Sequence, residues 1–114
     1  MAMTLKTIQD LHQYFIGVVN RAEHHAQEVE EIIYPLLGMI VAYKDNKTDI
    51  EVWSTNDNPG NILWAFFNGT RYAFRYEHEP ISIEIRKESY KGDLVHIITN
   101  NTTLHQLRDI FKTL

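Results

Sequence analysis

The sequence predicts an α+β fold: two N-terminal helices, or one long helix, then a five- to six-stranded antiparallel meander sheet and a C-terminal helix. Three observations carry this. Apolar residues recur by threes and fours up to Ile33, the period changes to two after Gly38, and helical spacing returns after Asn101. A chain of 114 residues is too short for two independent cores, so residues 1–114 are read as one domain.

The first element follows from Ile8, Leu11, Phe15, Val18, Val19, Ala22, Ala26, Val29, Ile32 and Ile33, which line one face of a helix. Thr7 can cap its start, with Asp10 at the third position supplying a capping-box partner and a negative charge at the positive end of the dipole. Pro35 and Gly38 are expected to end the helical region between Ile33 and Leu37. An unbroken helix from Thr7 to Ile33 would be about 40 Å long, against roughly 34 Å for the width of a domain this size. A break is therefore preferred, with Asn20 and Glu23 as its candidate restart.

Short runs rich in β-branched and aromatic residues come next: Met39–Lys44, Ile50–Thr55, Ile62–Asn68, Arg71–Tyr76, Ile81–Lys87 and Leu94–Thr99. Turn material separates them: 45–47, 57–60, Asn68-Gly69, Glu79-Pro80 and 91–93. Asn68-Gly69 is the clearest hairpin signal, because both residues tolerate the positive φ of a two-residue turn. Connections this short leave no room for crossover helices, so the strands form an antiparallel meander. The last element, within Asn101–Leu114, carries Leu104, Leu107, Ile110, Phe111 and Leu114 on one stripe, with Thr103 and Gln106 as a capping box.

Composition narrows function by exclusion. Eleven basic against fifteen acidic residues give a net charge of −4, which opposes binding to nucleic acid or anionic membrane. The absence of cysteine removes disulfides, thiolate metal sites and cysteine nucleophiles, and fits a reducing, cytoplasmic setting. Neither a signal peptide nor a membrane-spanning run is read, and residues 1–13 turn polar and helix-like at once.

Chemical motifs are sparse. His24 and Glu28 have the i, i+4 spacing of metal ligands but lack a second histidine, so Glu23–Glu28 reads as a solvated helix face. Glu77-His78-Glu79 reads as an exposed polar turn, and His96, between Val95 and Ile97, as a half-buried histidine rather than a catalyst. The glycines are too scattered for a phosphate loop, and no serine has a nucleophile-elbow context. No cofactor or metal is expected, and an enzyme is not indicated.

Strand alternation points elsewhere. Tyr72, Phe74 and Tyr76 share one face of their strand while Arg71 and Arg75 share the other, which Glu84, Arg86 and Trp53 or Glu51 should join. Ile62 to Phe67 is apolar on both faces, so something should cover its outer side: a loop, the C-terminal helix or a second copy of the chain. The candidate binding residues are Trp53, Trp64, Arg71, Tyr72, Arg75, Tyr76 and Arg86. A non-catalytic interaction module that binds a protein partner, itself included as a homodimer, is the first expectation. A small apolar or aromatic ligand held between sheet and helices, among Trp64, Tyr72 and Tyr76, is the second.

One resemblance stands beside these readings. Asn61-Ile62-Leu63-Trp64, Arg71 through His78, Ile83-Glu84-Ile85-Arg86, Asn101-Thr102-Thr103 and Ile110 through Leu114 resemble small uncharacterised bacterial proteins, including ones encoded on mobile integron gene cassettes. The likeness covers the C-terminal half. It implies a bacterial cytoplasmic accessory protein and supplies no functional residues.

Overall fold

The computed structural model describes residues 2–25, 30–55, 58–78 and 81–114. Glu28, Glu79, Pro80 and the turn residues Asn56 and Asp57 lie outside the described residues, and with them the His24/Glu28 pair and the Glu77–Glu79 turn. Along the described chain the order is β1 (Ala2–Leu5), α1 (Ile8–His25), α2 (Glu30–Tyr43), β2 (Ile50–Thr55), β3 (Asn58–Phe67), β4 (Thr70–His78), β5 (Ile81–Lys87), β6 (Leu94–Ile98) and α3 (Leu104–Thr113). The six strands form one antiparallel sheet in sequential order, the expected α+β meander.

α1 starts where its cap predicts. The Thr7 hydroxyl accepts from the Asp10 N–H at 3.0 Å, while the Asp10 carboxylate reaches back to the Lys6 N–H at 3.3 Å. In α1 Tyr14 is buried, whereas Ile8, placed by periodicity on the buried face, is 86% exposed. α1 runs through Asn20 to His25, so the two helices are separated later than the Asn20 restart expected.

Two further expectations are corrected. Residues 2–5 form a strand, not a helix start: β1 pairs with β2, and Leu5 is buried opposite Ile50. Met39–Tyr43 belong to α2, which passes through both Pro35 and Gly38. Pro35, the sixth residue of α2, lacks the N–H that would bond the Glu31 carbonyl, so the helix continues past it with one internal hydrogen bond fewer. Gly38 is exposed and surrounded by open space, so it imposes no turn. Ile32, Ile33, Leu36, Leu37 and Ile40 are all buried, a helical stripe that continues across both supposed breakers. The Asn100 side chain accepts from the Ile32 N–H at 3.0 Å, satisfying one donor of the first turn from 68 residues away.

The β3–β4 hairpin turns at Asn68 and Gly69, both at positive φ, as their residue types require. Asp45 holds this turn from outside: its carboxylate accepts from the Asn68 and Gly69 N–H groups at 2.7 and 2.8 Å. β3 begins at Asn58, inside the segment 57–60 expected as a turn, with a register shift beside Trp53. The α3 capping box forms as expected, Thr103 accepting from Gln106 N–H at 3.0 Å and Gln106 from Thr103 N–H at 2.9 Å.

The helices pack on one sheet face. Leu63, Ala65, Phe67, Phe74, Ile85 and Ile98 meet α2 and α3 in the main core. Phe111 of α3 lies 5.5 Å from the Phe67 ring and 6.0 Å from that of Phe74. α3 therefore does not cover the outer side of β3, one of the coverings anticipated for it.

Candidate functional site

The outer face of the sheet is built by alternation from β2 to β5. Register places Glu51 beside Trp64, Trp64 beside Ala73, and Ala73 beside Arg86; the neighbouring row holds Ile62, Arg75, Glu84 and Ile97. Ile62, Trp64 and Ala73 are buried here as a small cluster separate from the main core. Its cover is polar: the Arg71 guanidinium stands 4.9 Å from the Trp64 ring centre. The aliphatic stems of such arginines shield apolar surface while their heads stay wet.

The three arginines are not equivalent. Arg86 is fully engaged, gripping the Glu84 carboxylate through Nε at 3.0 Å and Nη2 at 3.2 Å and donating from Nη1 to the Gly92 carbonyl at 2.9 Å. The bond to Glu84 raises its pKa and keeps it cationic. It ties β5 to the loop that follows. Arg71 and Arg75 make looser contacts, each 3.7 Å from one carboxylate, Glu51 and Glu77 respectively. The Arg75 head also lies 5.6 Å from the Tyr90 ring, which the β5–β6 loop brings over this face.

Two donors in this patch lack partners. Trp64 Nε1 and Arg71 Nε are both buried and neither makes a hydrogen bond among the described residues. An unsatisfied buried donor costs about 1–3 kcal/mol. Trp53, on the same side of β2, is 41% exposed.

The sequence-predicted residues thus divide. Trp53, Trp64, Arg71, Arg75 and Arg86 share the outer face, whereas Tyr72 and Tyr76 belong to the helix-covered side, Tyr72 buried in the core and Tyr76 packed against it. Trp64 faces away from both tyrosines, so these three do not line a common space. Tyr90 was missed, and no spacing signal marks it, because a loop residue has no periodicity. His96 is half-buried and 3.1 Å from the Thr113 hydroxyl, away from the outer cluster. Since that hydroxyl donates to the Ile110 carbonyl at 2.7 Å, His96 Nε2 must be the donor in the pair. Burial lowers the His96 pKa. Among the described residues no group of three or more His, Asp or Glu side chains is placed to hold a metal, and no helix is long and apolar enough to cross a membrane.

A family model described as "Integron cassette protein VCH_CASS1 chain" matches residues 11–108. The chain belongs to this integron cassette protein family. The match runs from the first turn of α1 into α3, so it takes in both N-terminal helices and the whole outer face, well beyond the C-terminal half that carried the resemblance. Only β1 among the elements lies wholly outside it. No curated protein matches the chain. The cassette family description names no activity, substrate or partner, so the outer-face geometry is the ground for a functional reading.

Proposed function

We propose that this cassette protein is a cytoplasmic, non-catalytic interaction module that docks a protein partner on the outer face of its sheet. The observation that carries the proposal is the unpaired pair Trp64 Nε1 and Arg71 Nε, set beside the exposed Trp53 on a face where the described residues place no helix. Tryptophan and arginine are the residues most enriched among binding hot spots, because they combine large apolar area with directed donors. A partner presenting carbonyl or carboxylate oxygens would satisfy both donors once the Arg71 head that covers Trp64 swings aside. Arg71, which also donates from Nη1 to the Glu88 carbonyl at 3.4 Å, and Arg75 can exchange their 3.7 Å contacts with Glu51 and Glu77 for the partner's acidic groups. The cytoplasmic assignment rests on the cysteine-free composition.

The test compares wild-type protein, Trp53→Glu and Leu104→Glu as immobilised baits in a bacterial lysate, each first shown to be folded by circular dichroism. Leu104 is 62% exposed on α3 and serves as a surface control. A protein retained by wild type and Leu104→Glu but lost with Trp53→Glu supports the reading. Identical retention by all three baits sinks it.

A further inference from the structure

We infer that two copies of this chain associate through β6, pairing antiparallel about a two-fold axis at His96 so that the two sheets become one. This contact uses the backbone edge of β6, which borders the proposed docking face at Ile97, and stands on its own observations.

β6 is the last strand of the sheet, so among the described residues one side of its backbone has no neighbouring strand. Natural edge strands are blunted by charge, proline, shortness or a bulge. β6 is short and has a register shift at Val95, but Leu94-Val95-His96-Ile97-Ile98 carries no lysine, proline or formal charge, and Leu94, Val95 and Ile97 are 44%, 38% and 49% exposed.

The ladder fixes which backbone groups are available. Lys87 N–H donates to the Asp93 carbonyl and Glu88 N–H to the Arg71 carbonyl, so odd-numbered residues at this end of β5 turn their peptide groups toward β6. Ile85 therefore exchanges hydrogen bonds with its partner His96, and the peptide groups of Ile97 face away from β5. The Val95 carbonyl shares a peptide unit with the His96 N–H and so also points away from β5, while the Val95 N–H lies in the register shift beside Arg86. The free edge ends at Thr99, whose N–H is already taken by the Thr102 hydroxyl at 3.1 Å.

These constraints choose both register and occupant. Centring the pair on His96 sets Val95 against Ile97 of the second copy, and Ile97 against its Val95, so each outward-facing residue meets another outward-facing one. Centring on Ile97 would set Val95 against Thr99, whose N–H is not free. In the His96 register Leu94 also meets Ile98, so every non-central pair is apolar, and no formal charge opposes another. Burial already favours neutral His96, so the two facing imidazoles add no like-charge repulsion. A five-residue contact is at the small end of interface sizes, so a concentration-dependent monomer–dimer equilibrium is expected.

Sedimentation equilibrium across a concentration series tests this. Wild type should approach twice the 13.4 kDa chain mass. Ile97→Lys should weaken the dimer at least tenfold, with Val95→Lys as a second variant and circular dichroism confirming that each is folded. Trp53→Glu should leave the dimer intact, which separates this contact from the docking face. Because the chain has no cysteine, His96→Cys offers a direct check. Directly opposed residues of this type have Cα atoms about 4.5 Å apart, within disulfide reach. Mild oxidation should give a covalent dimer, and Leu104→Cys should not. A monomer at every concentration, a dimer unaffected by both lysine variants, or a wild-type dimer that His96→Cys fails to cross-link would each overturn the inference.

Discussion

Replacing Phe111 by alanine tests whether α3 seals the helix-side core and thereby leaves the opposite sheet face open. The ring is 4% exposed and packs 5.5 Å from Phe67, 6.0 Å from Phe74 and 5.9 Å from Tyr43. Truncating a buried phenylalanine costs about 3–5 kcal/mol, more where the surroundings cannot relax. Phe67 and Phe74 are themselves buried in neighbouring strands, which limits collapse into the cavity. A loss of about 4 kcal/mol is therefore expected, and at about 4 °C per kcal/mol for a domain of this size the melting temperature should fall by about 16 °C. Thermal unfolding followed by circular dichroism, with urea denaturation as a second measure, reads the effect. Leu104→Ala, on the exposed side of the same helix, should change stability by less than about 0.5 kcal/mol. A Phe111→Ala melting shift below about 4 °C would refute the packing of α3 described above.

The hairpin latch and the half-buried histidine give further expectations. Asp45→Ala removes two charge-assisted bonds to the Asn68 and Gly69 amides, and because these groups are exposed water will replace part of the loss. Stability should fall by about 1 kcal/mol, with faster hydrogen exchange at those two amides. Unchanged exchange there would show that the turn holds itself. His96 has a pKa below its ordinary value because burial disfavours the charged form. The unfolded state therefore takes up a proton that the folded state resists as pH falls through about 6.5, so this group lowers stability on acidification and contributes no slope well above that pH. His96→Gln should show a smaller loss of melting temperature than wild type between pH 7.5 and 5.5. An equal loss in both would remove His96 as a source of the pH dependence.

What sequence alone determined is the part governed by bonds between near neighbours and by local steric preference. The Thr7 and Thr103 caps and the Asn68-Gly69 turn depend on residues a few positions apart, and each forms where its chemistry predicts. Strand alternation likewise placed Trp53, Arg71, Arg75 and Arg86 on one face, because successive side chains in a strand must point to opposite sides. The same rule placed Trp64 on the face away from Tyr72 only once pairing had set the register between β3 and β4.

Tertiary structure decided the rest. Met39, Val41 and Tyr43 have the period of a strand, yet Ile40 between them is the buried residue of the stretch, because the sheet accepts the stripe of α2 and leaves Val41 and Tyr43 outside. Pro35 and Gly38 looked like breakers because their effect depends on position within a helix, which local composition does not specify. β1 is a strand because Ile50 and its neighbours offer a paired edge about 45 residues on, and Tyr90 reaches Arg75 through a loop with no repeat. These outcomes rest on contacts between distant segments, whose free energy exceeds the small differences in backbone preference that a sequence pattern can express.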